Sequence, residues 1–187
     1  MALHEVLLDA VRDMYSAENQ LVKALPELAK GAHDAKLREL FTAHLEETKG
    51  QVERLKEVFE HLDEKPGGEV CKGMQGIVEE GKEALKKDEV GASFDCGLAG
   101  AGLRTEHYEI AGYQGAIAMA KTLGMQDVMD LLTENLDEEM AAAAKISEIA
   151  KPLMVHSAEE PKRGSEEQPK KKAPKPVRGR SSARKHA

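Results

Sequence analysis

The chain has 187 residues, 41% hydrophobic but only 3% aromatic, with no tryptophan. This allows one domain with a Leu, Ile, Val, Met and Ala core, which suits packed helices better than a sheet. The formal charge of −7 joins an acidic body, net −13 over residues 1–156, to a basic tail, net +6 over residues 157–187.

The apolar stretch at residues 3–8 is too short for a signal peptide and is broken by His4 and Glu5. No apolar run approaches the ~20 residues of a membrane span. Cys71 and Cys96 stand outside any CxxC or zinc-site spacing. These features exclude membrane and zinc-stapled classes and predict a cytosolic protein with reduced, core-filling thiols.

In chain order, Val6, Leu7, Ala10, Val11, Met14, Ala17, Leu21 and Leu25 recur with helical period. They predict a first helix from Leu3 to about Lys30, kinked or broken at Pro26 and stopped at Gly31. A second helix is predicted from Asp34, its N-cap, to Leu62, ended by Pro66-Gly67-Gly68. Weaker apolar spacing from Glu69 to about Lys87 predicts a short helix inside a long connection. The third long helix, about Ser93 to Leu123, is crowded with small residues and stops at Gly124. Such residues imply close helix packing. The fourth runs from about Gln126 to Ala150, with Pro152 ending it. Four long helices, two tight turns and one long connection predict an all-α, four-helix bundle with a single crossover over residues 1–156. Residues 157–187, rich in Lys, Arg, Pro, Ser and Glu, cannot bury enough apolar surface to fold and are expected to be disordered.

One anomaly carries chemistry. Glu18 falls in the apolar stripe of the first helix with Met14, Leu21 and Leu25. By the same 3–4 spacing, Glu47 shares a face with Leu40, His44, Gln51 and Leu55. Glu109 shares one with Leu98, Gly102, Glu106 and Tyr113, and Glu138 with Leu131, Asn135 and Ala142. Small drift of the helical frame would instead turn Glu46, Glu106 or Glu139 inward. Four unpaired buried carboxylates are too costly, and a shared cation removes that cost. Carboxylate cages suit iron and manganese. The chain also repeats: Glu18 to Glu47 and Glu109 to Glu138 are both 29 residues apart, at an offset of 91 that aligns HLEET with NLDEE. Two related helical hairpins would each bring one carboxylate pair to a two-metal site.

The segments YSAENQL, HLEETKGQVERL, RTEHYEIAGY and LLTENLDEE resemble the YciE/YciF family of ferritin-like proteins, bacterial proteins associated with stress responses. The resemblance covers about residues 1–151. It implies a ferritin-like bundle, a homodimer and a dinuclear site holding two metal ions, iron first and manganese second. By position, the implied ligands are Glu18, Glu47, Glu109 and Glu138, followed by Gln51, Glu106 and Glu139 as further ligands or supporting groups. The sequence departs from the wider ferritin-like pattern of Glu-x-x-His on two helices. Three residues past Glu47 and Glu138 stand Gly50 and Ala141. Gln51 can replace one missing histidine, whereas Ala142 cannot replace the other. An all-oxygen site of this kind favours hard, oxidised metal. His44, one turn before Glu47, is placed to donate to a ligand carboxylate.

The expected function is a metal-handling stress protein that oxidises Fe(II) with dioxygen or peroxide. The alternative is a non-enzymatic structural or interaction bundle, which the missing histidines favour. The tail, PKKKAPKPVRGRSSARKHA, has the composition of a basic arm for nucleic acid or another polyanion, bound without sequence preference.

Overall fold

The computed structural model describes residues 2–86 and 91–159. Most of the basic tail, residues 160–187, lies outside the described residues. Five helices are present among them: α1 (Leu3–Gly31), α2 (Ala35–His61), α3 (Lys72–Leu85), α4 (Ala92–Thr122) and α5 (Gln126–Glu159), with no strand. The long helices pack in the ring order α1–α2–α5–α4, and α3 lies over α1 and α4. Asp13 meets Tyr108 while His33 meets Asp95, so α1 and α4 run antiparallel. His61 stands beside Asp127 while Glu47 stands beside Lys145, so α2 and α5 do the same. The long connection between α2 and α4, carrying α3, is the single crossover that the element pattern predicts.

The first two helices form because their apolar positions fall on one side. Leu7, Val11, Met14, Leu21 and Leu25 bury one face of α1, and Leu37, Phe41, Leu55 and Phe59 that of α2. Fully burying a Leu or Phe contributes about 1.5–3 kcal/mol. The Asp34 side chain accepts the Leu37 N–H at 2.9 Å and so caps α2. Gly124 takes the left-handed conformation, φ 72°, that ends α4. The small residues of α4 do allow close approach: a Cβ on Gly112 would sit 2.2 Å from Met14 Sδ.

One proline behaves differently from expectation: α5 runs through Pro152 to Glu159 rather than ending there, while Pro26 leaves α1 unbroken. Each proline removes a hydrogen bond to the carbonyl four residues earlier. Both prolines are exposed, and Glu148, four residues before Pro152, is exposed too. Water can take the freed carbonyl at such positions, so neither proline stops its helix.

Asp95, near the start of α4, closes the α1–α2 turn. Its two oxygens accept the backbone N–H groups of His33 at 2.9 Å and Asp34 at 2.8 Å. The side chain is nearly inaccessible. Nothing in its spacing marks it in the sequence. Asp95→Ala should cost roughly 3 kcal/mol, because two N–H groups lose a charged acceptor. That corresponds to a melting temperature lower by about 6–12 °C for a chain of this size. A calorimetric shift near zero would show that water replaces the carboxylate.

Cys71 anchors the crossover. Its thiol accepts the Met74 N–H at 3.3 Å at the start of α3, and its own N–H donates to Ser16 Oγ at 2.8 Å. Gln20 donates to its carbonyl at 3.0 Å. Burial pushes the thiol pKa up. Both Cys71 and Cys96 are free, and Cys71 serves as a cap as well as core filling.

Candidate metal centre

The middle of the bundle is polar where an ordinary core is apolar. Glu18 from α1, Glu106 and Glu109 from α4, and Glu139 from α5 are each at most 1% exposed, and α2 adds His44, Thr48 and Gln51. Four carboxylates thus meet one imidazole in a space closed to water. Seven buried side-chain atoms among the described residues lack a hydrogen-bond partner: Glu18 Oε2, His44 Nε2, Gln51 Oε1, Glu106 Oε2, both oxygens of Glu109, and Glu139 Oε2. All belong to this cluster. An orphaned buried acceptor costs about 1–3 kcal/mol, more when charged. This concentration in one place is the pattern of a cation site.

The donor atoms fall into two overlapping sets. Glu18, Glu109 and Glu139 each offer an oxygen within 4.8 Å of the others, and so do His44, Glu106 and Glu139 with their nitrogen and oxygens. Glu139 belongs to both. Oxygen donors with a single imidazole nitrogen suit iron or manganese.

The electrostatics follow from burial. Glu18 is raised to about 7 by burial, with the Tyr113 hydrogen bond acting against it. Glu109 is pushed well above the carboxylate range by burial and then by Glu18 and Glu106. Glu139 moves the same way through burial and Glu109. Burial opposes charge on His44, but the nearby Glu106 carboxylate and the Glu47 hydrogen bond prevail and lift its pKa to about 10. The metal-free cluster therefore holds protons that a bound cation would displace.

The sequence-predicted residues separate into two groups. Glu18, Gln51, Glu106, Glu109 and Glu139 converge on the centre. Glu47 and Glu138 stand at the rim with side chains 35% and 28% exposed. Glu47 accepts from His44 Nδ1 at 3.1 Å and faces Lys145 Nζ at 3.8 Å. The His44 contact holds its pKa below the ordinary value. Glu138 is bound by the Arg54 guanidinium. These rim pairs obey the internal repeat, since the offset of 91 relates Glu47 to Glu138 and Arg54 to Lys145. Each hairpin's glutamate is held by the other hairpin's cation.

Three features were not read from sequence as parts of the site. Arg54 is the first. The second is the Asn135–Tyr113 pair, both fully buried, with Tyr113 donating to Glu18 Oε1 at 2.5 Å. The third is His44 as a donor in its own right: its Nε2 lies 3.2 Å from Glu106 and 3.6 Å from Glu139 without hydrogen-bond alignment. The buried groups that could hold an ion therefore include one nitrogen. That nitrogen comes from one turn before Glu47 rather than one turn after. Gln51 donates to Glu139 Oε1 at 2.5 Å, a supporting contact.

A groove of about 380 Å³ between α2 and α5, lined by His44, Glu47, Ala142 and Lys145, reaches the His44 side of the cluster. A larger groove of about 930 Å³ runs past Asp13, Lys65 and Gly73. It contains none of the orphaned atoms, so its size does not make it the site.

Residues 2–159 match the family described as Domain of unknown function (DUF892). The chain is 38% identical over 149 residues to the protein YciF of Escherichia coli K12, covering 79% of this chain and 90% of YciF. The solved structure of that E. coli stress protein superposes with a TM-score of 0.80 at 36% identity, over 83% of this chain and 98% of the other. YcfI of Rhodopseudomonas palustris gives 0.77 at 39% identity, over 79% and 94%. A dodecameric thioferritin, the bacterioferritin-related protein of Bacteroides fragilis, gives 0.65 at 18% identity, over 83% and 90%, a likeness of fold alone.

Proposed function

The chain belongs to the YciE/YciF family of ferritin-like proteins, DUF892, and from that premise we propose that it is a stress-response protein binding two metal ions, iron before manganese, between its helices. The observation that carries this reading is the group of seven orphaned buried atoms. Glu18 and Glu109 would hold one ion, His44 and Glu106 the other, with Glu139 shared. A bound pair of such ions supplies charge neutralisation and one-electron chemistry.

The chain's own residues shape the site in three ways. Glu47 accepts the His44 Nδ1 proton, which leaves Nε2 as the ligating atom once its proton departs. Gln51 and Tyr113 each hold one oxygen of a central glutamate, so the carboxylates cannot swing freely. The packed helices keep bulk water from the buried side, while the α2–α5 groove provides the approach. With Fe(II) as substrate and peroxide as oxidant, two Fe(II) give two Fe(III), and one peroxide takes two protons to become two waters.

The test is metal content by mass spectrometry on protein purified without chelator, then reconstitution with Fe(II) or Mn(II). About two ions per chain are expected, with release of protons on binding. Loss of that uptake in a Glu18→Ala/Glu109→Ala double variant is the second expected result. A wild-type protein that refuses both ions on reconstitution would leave the structural-scaffold reading.

A further inference from the structure

A line of hydrogen bonds crosses the bundle from its flank to the cluster, and its direction is set by chemistry at both ends. Arg54 Nε donates to Asn135 Oδ1 at 2.5 Å. Asn135 Nδ2 donates to the Tyr113 hydroxyl at 3.0 Å and to the Gln51 backbone carbonyl at 3.4 Å. The Tyr113 hydroxyl donates to Glu18 Oε1 at 2.5 Å. A guanidinium has no acceptor and a backbone carbonyl has no donor. Asn135 must therefore turn its oxygen to Arg54 and its amino group to Gln51, which also points an N–H at the phenol oxygen. Tyr113 has one proton, and Glu18 receives it. Arg54 is anchored by Glu134 at 3.2 Å and by Glu138. Asn135, Tyr113 and Glu18 are all fully buried, so no water can reverse the order.

We propose that Arg54, Asn135 and Tyr113 form a one-way hydrogen-bond chain that fixes Glu18 as an acceptor through Oε1 and reserves Oε2 for a cation. Asn135 is the positioning residue that sets the direction. The role of Oε2 rests on the metal-binding reading above; the direction of the chain does not. Oε2 is one of the orphaned atoms, as a reserved ligand oxygen should be. The internal repeat gives Asn135 the place that His44 holds in the first hairpin. One hairpin thus supplies a nitrogen donor there, and the other an orienting amide.

The experiment uses the full chain. In metal-free protein, a phenol proton held on a buried carboxylate gives a downfield, slowly exchanging proton resonance, identified by its loss in Tyr113→Phe. Asn135→Asp keeps the shape but replaces the donor with an acceptor. The new carboxylate takes Arg54 on one oxygen and the phenol proton on the other, turning Tyr113 away from Glu18. The resonance should move or vanish, and Mn(II) affinity by calorimetry should fall roughly 10- to 100-fold, with helicity by circular dichroism retained. Arg54→Ala, on the flank, removes one of the two groups that orient the amide and leaves only the longer Gln51 carbonyl contact. It should broaden the same resonance and weaken Mn(II) binding by about tenfold, and it decides the matter if Asn135→Asp does not fold. Both variants keeping the wild-type resonance and affinity would overturn the proposal. A wild type that shows the resonance and its shift in Asn135→Asp, yet takes up no Mn(II), would support the chain and overturn the metal reading.

Discussion

Glu139→Gln is expected to weaken Mn(II) binding by about 100-fold or more while making the metal-free protein more stable. Glu139 is the carboxylate common to both donor sets, so its loss touches both ions. Losing a supporting group costs 10- to 100-fold in metal affinity, and losing a shared ligand should cost at least the upper end of that range. The stability change has the opposite sign. Glu139 is fully buried beside Glu106 and Glu109, and burial holds it well above the carboxylate range. The amide is nearly isosteric and still accepts from Gln51, but it carries no charge at high pH. At pH 8 a gain of about 1–3 kcal/mol is expected, seen as a melting temperature higher by roughly 2–12 °C. This pairing of lost function with gained stability marks a residue kept for its site rather than for packing. The adjacent Glu138 provides the contrast. It is partly exposed and bound to Arg54, so Glu138→Gln should lower stability slightly and leave both Mn(II) equivalents. Equal Mn(II) binding by wild type and Glu139→Gln would defeat the two-ion assignment.

Stability of the metal-free protein should fall as pH rises from about 5 to 9. Glu18 has a folded pKa of about 7 against an ordinary 4.5. A carboxylate raised in this way contributes its full stability below 4.5 and loses it as pH rises through about 7. The change corresponds to about 3 kcal/mol, or roughly 6–12 °C in melting temperature. Glu109 and Glu139 are raised in the same direction. His44, raised from 6.5 to about 10, contributes fully below 6.5 and loses its contribution as pH climbs through about 10. Glu47 acts oppositely: His44 holds it below its ordinary value, so its contribution is lost only as pH falls through its lowered pKa. Together these place the optimum of the metal-free protein on the acid side of neutrality. Saturating Mn(II) should reverse the slope between pH 5 and 8, because bound cations favour the deprotonated ligands. Scanning calorimetry at pH 5.5, 7 and 8.5, with and without Mn(II), measures both slopes. A flat metal-free profile would mean that the cluster's protons do not change on folding.

Much of the fold was legible because helical periodicity is a local property. Leu7, Val11, Met14 and Leu21 declare the buried face of α1 without reference to any other helix. Asp34 and Gly124 mark boundaries through backbone geometry that depends only on neighbouring residues. Pro152 misled for a related reason. A proline's cost depends on whether the carbonyl it leaves unpaired reaches water, and that depends on which flank of the finished bundle it occupies.

The site was legible in kind and only partly in detail. Glu18 and Glu109 stand in the apolar stripes of their helices, so a buried carboxylate cluster follows from spacing alone. On α5, Asn135 is followed by both Glu138 and Glu139, three and four residues on, and either shares its face. The wider run of Val128, Leu132, Glu139, Ala143 and Ile146 favours Glu139, a signal present in the sequence. Arg54 settles the choice by binding Glu138 at the rim.

The sequence by itself determined an acidic all-helical body, its four long elements, its two-fold internal repeat and the presence of glutamates where apolar residues belong. The charge and the repeat can be read by counting and aligning along the chain, and the helices and inward glutamates depend on residues within one or two turns of each other. The tertiary structure decided which glutamates meet, that His44 Nε2 faces Glu106 and Glu139, and that Arg54, Asn135 and Tyr113 line up behind Glu18. Those contacts join residues 81 and 95 positions apart, or belong to different helices entirely. They depend on the rotation of each helix about its own axis, which only packing against its neighbours sets.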